Sequence, residues 1–165
     1  MATQFDIFAG SYVSVFMTED ITNKVTTFAG YKFVPETGAF PESGSERQVI
    51  DVPNYSDNYN RKLVGRGSVP SVDLTVNYKA GSIHDTLSKL SDEGKRFQIK
   101  IVYWMDGTYT DGIAVIYNGF LSSDRTTGSD SSAVQKVFTF EVDGGPVARE
   151  IVTGSGEKPT EEPIV

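Results

Sequence analysis

His84 is the only histidine of a chain that has no cysteine, so imidazole chemistry has one address and thiolate chemistry has none. A general base works on a nucleophile within hydrogen-bond reach, and no serine here is framed by the Gly-x-Ser-x-Gly turn that exposes one. His84 is therefore read as a solvated residue in the first turn of a helix. Any metal would need oxygen ligands. Asp124, Asp130 and Ser131 offer them, but their spacing fits no ordered calcium loop, and residues 123 to 132 read as a solvated polar loop. Gly65-Arg66-Gly67-Ser68 has the glycines of a phosphate loop without its lysine or its helix, and reads as a turn before the next strand. Paired carboxylates cleave glycosides, but 22 acidic residues offer too many pairs for any to be specific. Trp104 could stack on a sugar ring, yet beside Asp106-Gly107 it reads better as a strand-edge or interface aromatic. No catalytic, cofactor-binding or metal site emerges, and the expectation is a protein that is not an enzyme and uses no cofactor.

The elements that would carry these residues are strands. The 165 residues suit a single domain, with 38% hydrophobic residues and frequent Val, Thr, Ile, Phe and Tyr between Gly and Pro punctuation. The net charge of −7 and basic runs of at most two residues leave no electrostatic grip for nucleic acid or anionic lipid. The N-terminus lacks the basic and apolar regions of a signal peptide, and no apolar stretch is long enough for a membrane helix.

Residues 11 to 17 and 25 to 34 are rich in strand formers. From about 35 to 62 the chain is irregular, with Pro35, Pro41 and Pro53 and with Phe40, Tyr55 and Tyr59, aromatics that want burial. It reads as an extended loop or hairpin whose partner lies on another subunit, or else as a surface loop over its own core. Residues 71 to 78 alternate, with Val72, Leu74, Val76 and Tyr78 on one face and Asp73, Thr75 and Asn77 on the other. Ser82 caps a helix with Asp85 as a weak capping box; Ile83, Leu87 and Leu90 form its stripe and Gly94 its stop. Residues 96 to 105 and 108 to 121 flank Asp106-Gly107, the dipeptide of a type I′ hairpin, with a bulge near Gly119. Residues 133 to 142 form the last strong strand, and 153 to 165 read as a flexible arm. The fold class is mainly β: a β-sandwich or barrel of about six to eight strands with one short flanking helix, forming a single domain over residues 1 to 152.

From Val52 to Arg149 the order of features resembles that of the major tail tube proteins of long-tailed bacteriophages with non-contractile tails. The likeness runs from Asn54-Tyr55-Ser56-Asp57-Asn58-Tyr59 and Gly65-Arg66-Gly67 to the strand Val72–Tyr78 and the helix opening Ser82-Ile83-His84-Asp85. It continues through Phe97-Gln98-Ile99-Lys100-Ile101, Asp106-Gly107-Thr108, Tyr117-Asn118-Gly119-Phe120-Leu121-Ser122 and Lys136–Val142 to Gly144-Gly145-Pro146. The resemblance implies a subunit of the virion tail, made in the host cytoplasm, whose partners are chiefly copies of itself. Its hexameric rings would stack into the tube that conducts the genome, their inner sheets joined into one barrel. Tape-measure, tail-tip and tail-terminator proteins would be its other partners. DNA would pass without specific binding, and the subunit would bind no membrane. Within that frame Phe40, Tyr55 and Tyr59 are expected at an inter-subunit contact, and Asp73 and Glu141 are expected to give the lumen negative charge. The competing reading is a monomeric carbohydrate-binding β-sandwich with Trp104 and the tyrosines as its platform; a β-sandwich hydrolase has no supporting constellation.

Overall fold

A computed structural model describes residues 6–22 and 30–160. Its elements, in chain order, are β1 (Val13–Thr18), β2 (Lys32–Val34), β3 (Glu46–Val52), β4 (Arg61–Ser68), β5 (Val72–Asn77), α1 (Ile83–Glu93), β6 (Phe97–Trp104), β7 (Asp111–Ser129), β8 (Ser132–Val142) and β9 (Ala148–Thr153). The chain is thus mainly β with one helix. Of the second expected strand, residues 25 to 29 lie outside the described residues.

Seven strands form one antiparallel sheet, ordered β2-β1-β6-β7-β8-β5, with β9 added on β7. The sheet bends back on itself. Directly after β2 the chain crosses to the far strand, where Gly38 N–H donates to Thr75 O and Asn77 N–H to Glu36 O, both at 2.8 Å. That bridge closes the path from β2 round to β5, and closure protects both edges at that point. Glu36 takes a positive φ of 60° at the crossing.

The closed sheet encloses the main core. Alternation aims Val72, Leu74 and Val76 of β5, Phe97, Ile99 and Ile101 of β6, Val115, Tyr117 and Leu121 of β7, and Phe138 and Phe140 of β8 inward. Helix α1 packs here through Ile83, Leu87 and Leu90, the stripe legible in the sequence, while Lys89 and Asp92 stay exposed. Ser82 caps it, accepting from His84 N–H. Asp85 does not close the expected box. Its carboxylate accepts instead from Gly81 N–H and the Tyr78 hydroxyl, and Tyr78 is the larger cause holding this carboxyl below its usual range. Gly94 ends the helix at φ 61°, with Lys95 N–H reaching back to Leu90 O and Gly94 N–H to Ser91 O.

The opposite face of β1 and β6 is covered as well. Phe16, Val102, Trp104, Ala114 and Val152 form a second cluster, beside which Lys100 and Gln98 are fully buried. β6 is therefore buried on both faces.

Five local expectations are corrected. Residues 123 to 132 are not a loop: β7 runs to Ser129 and pairs with β8 to the Ser129–Ser132 closure. Both faces of that arm are wet, so it shows no apolar alternation, and its backbone ladder alone makes it a strand. Gly65, Arg66 and Gly67 lie within β4 rather than in a turn, for the same reason. The Asp106-Gly107 hairpin exists, but its loop spans 105 to 110 and the positive φ falls on Tyr109, because Asp106 caps the turn by accepting from Thr108 N–H and Oγ1. The ladder of β7 on β8 shifts register between Leu121 and Ser123, just past the expected place, and again between Thr127 and Ser129. Gly119 is instead a point of close approach, where a Cβ would stand 1.9 Å from Glu141 O. Finally, β9 was not foreseen: only Val152 of its six residues is buried, too little apolar signal for a strand.

Candidate assembly surfaces

The irregular segment 35 to 62 resolves into two parts. Residues 36 to 43 are tied to the body: beyond the bridge to β5, the Tyr103 hydroxyl donates to Pro41 O at 2.7 Å and contacts Ser43 Oγ at 2.8 Å. From Glu46 the chain leaves as the β3–β4 ribbon, a separate two-stranded sheet. Among the described elements β3 and β4 pack only on each other.

The ribbon carries exposed aliphatic side chains on both faces, set among charged ones. Its register pairs Val49 with Val64, Ile50 with Leu63, Asp51 with Lys62 and Val52 with Arg61. Period-two alternation puts Val49 and Val64 on one face and Ile50, Val52 and Leu63 on the other. All five are exposed, Val64 at 73%. At the tip Tyr55 is fully exposed and Tyr59 is 85% exposed. A ribbon folded over its own core would show one polar face. An isolated hairpin has too little burial to stand alone. The sequence signal for this was available but faint: the patch at 49 to 52 has no clean polar alternate.

Phe40 does not join the tip tyrosines. It stacks on Tyr103, with ring centroids 5.3 Å apart, and remains 52% exposed. Phe8, Gly10, Phe40, Glu42, Tyr103 and Ile113 line a cleft of about 480 Å³ at the foot of the ribbon. Ile113 pairs across β7 and β9 with Ile151, and both are exposed. This apolar patch had no sequence signal, since Ile113 precedes the run Ala114–Tyr117, whose residues are all buried.

Asp73 and Glu141 do come to one face. Thr139, opposite Asp73 on β8, donates to its carboxylate at 3.0 Å, and Ser123 in turn donates to Thr139. Glu141, two residues along β8, accepts from Ser122 at 3.1 Å. With Thr75, Asn77 and Gln135 they form a polar surface outside the core.

The chemical candidates are placed otherwise than expected. His84 is fully buried, not solvated: its Nδ1 accepts from Lys79 N–H at 3.2 Å, so Nε2–H donates to Pro35 O at 2.8 Å. It fastens the helix to the crossing between β2 and β5. Trp104 is only 2% exposed and donates to Ser14 Oγ at 2.9 Å, which takes it out of both an edge role and a sugar platform. The Asp124 carboxylate accepts from Lys136 Nζ, which also reaches Ser88. Among the described residues no group of three acidic or histidine side chains could hold a metal.

No known family matches the sequence, and no curated protein does. Solved structures do. A chain of the SPP1 tail tube superposes with a TM-score of 0.61 at 14% identity, covering 90% of this chain and 80% of that one. The tail of an empty gene transfer agent particle, refined with C6 symmetry, gives 0.61 at 13% identity over 81% and 92%. This is the tail tube fold. A chain of the anti-feeding prophage baseplate shares it, with a TM-score of 0.60 at 8% identity over 93% and 98% of the two chains.

Proposed function

We propose that this protein is a self-assembling tail tube subunit, whose copies form hexameric rings that stack into a conduit for the genome. The observation that carries the reading is the β3–β4 ribbon, with exposed aliphatic side chains on both faces and no packing partner among the other described elements, on a fold shared with assembled tubes. Exposed apolar surface on this scale marks an interaction site. Sixfold order is supported by the C6 symmetry of the gene transfer agent tail and the 6-fold symmetry of the anti-feeding prophage baseplate. DNA would pass unbound, since a chain of net charge −7 offers phosphates no grip. Tape-measure, tip and terminator proteins would meet the tube at its ends and in its bore.

The test is electron microscopy of the purified chain together with light scattering. Rings or hollow tubes are expected; a monomer at every concentration refutes the reading. Joining Val49 to Val64 through Asn-Gly, a turn that fits this paired register, removes the ribbon tip and leaves the body intact. That variant is expected to fold with an unchanged melting temperature and to remain monomeric.

A further inference from the structure

We propose that His84 is a proton-sensitive latch on the crossing that closes the sheet. As neutral imidazole it holds the crossing at Pro35–Gly38 shut, and a proton on Nδ1 releases the start of α1 and the crossing together. The latch belongs to the fold of one chain and does not depend on self-assembly.

The partners of the ring admit one protonation state. Lys79 N–H can only donate, to Nδ1, and Pro35 O can only accept, from Nε2–H. A second proton would set Nδ1–H against Lys79 N–H across 3.2 Å. The ring is fully buried, so the closed state has no water to take that hydrogen bond. His84 also lies in the first turn of α1, beside the positive end of the helix dipole.

The charged groups around the ring do not replace the lost acceptor. On α1 itself Asp85 favours the proton by its charge, yet its carboxylate already accepts from Gly81 N–H and the Tyr78 hydroxyl. From β5 and the turn after it come Tyr78, its ring centroid 6.4 Å from the imidazole, and the exposed Lys79. From β8, Lys136 stands over the Tyr78 ring and pairs with Asp124 of β7. Lys32 of β2 and Glu36 of the crossing are exposed.

The crossing is ready to relax. Glu36 is held at a positive φ of 60° between the His84 tie on Pro35 O and the backbone bonds to Asn77 and Thr75. When the ring leaves for water that tie goes, and the strained residue is freed. The open state binds a proton that the closed state excludes, so closure weakens as pH falls. Below the ordinary histidine range near ~6.5, the opening constant rises by up to ~tenfold per pH unit.

The test is amide hydrogen exchange of the full chain from about pH 7.5 to about 5.5, corrected for its intrinsic pH dependence. The amides of Gly38, Asn77 and Lys79 are expected to open up to ~tenfold more per pH unit, while those of the buried Ile99 and Ile101 stay unchanged. His84→Gln keeps a donor for Pro35 O and takes up no proton, and its profile is expected to be flat. A flat profile in the wild type, or an equal rise in His84→Gln, overturns the latch. The chain has one histidine, so its ring resonances identify themselves without any variant. Nitrogen shifts at neutral pH are expected to show Nδ1 bare and Nε2 protonated. A ring that takes its second proton while the Lys79 amide stays protected overturns the latch as well.

Discussion

Lys100 is the residue at which this fold departs furthest from what its side chain prefers. It sits fully buried on β6, its Nζ over the Tyr31 ring at 5.2 Å. Burial pushes the ammonium down to about 8, with the charge of Glu150 working in the opposite direction. An unfolded lysine titrates near 10.5, so between pH 8 and 10.5 the unfolded chain holds a proton that the folded chain has released. Stability therefore rises with pH across that window, by on the order of 1–3 kcal/mol. Tyr31 opposes this at the upper end. Burial, then Asp20, raises its hydroxyl from 10 to about 12, so stability falls as pH climbs from 10 to 12. A denaturation midpoint that rises from pH 8 to a maximum near 10 is expected, and Lys100→Met should flatten the rise. If the rise persists in Lys100→Met, another group is responsible. His84 teaches a related point. Its sequence neighbours suggested water, but the carbonyl that it bonds belongs to Pro35, 49 residues away.

Among the elements, α1 and the β3–β4 ribbon are opposite cases. The helix announces itself through cap, stripe and stop, because each depends on residues within one or two turns. Leu87, fully buried, anchors the helix against the main core. Leu87→Ala should cost ~2–5 kcal/mol in chemical denaturation, as transfer and cavity terms add. A loss below about 0.5 kcal/mol would mean that this stripe does not dock the helix. The ribbon announces only its aromatics. Its strands have no apolar face directed to a core, so the period that identifies β5 is missing from β3 and β4. The long arm of β7 and β8 was hidden likewise: Ser, Thr, Asp and Arg on both faces look like a loop until the ladder from Ser123–Thr139 to Ser129–Ser132 is seen.

At the scale of the whole molecule, assembly decides which wet face meets what. Asp73 and Glu141 share one polar face with Thr139 and Ser122. In a hexameric tube each carboxylate would recur around the bore, forming a band that keeps phosphates from sticking. Screening at ~8 Å in physiological salt confines its effect to DNA close to the wall. Asp73→Lys with Glu141→Lys is expected to assemble but to slow genome ejection, measured as release kinetics from particles carrying the variant. Normal kinetics from assembled tubes would place these residues on another face. The sequence by itself determined the β class, the helix with both its ends, the inward face of β5, and the absence of thiol chemistry, since these follow from composition and from periodicities that span a few residues. Only the tertiary structure decided that the sheet closes through Glu36–Gly38, that β6 is buried on both faces, that Trp104 and His84 are interior, and that a cleft lies at the foot of the ribbon. Each of these depends on residues dozens of positions apart meeting in space, and alternation along a strand distinguishes one face from the other without stating what covers either.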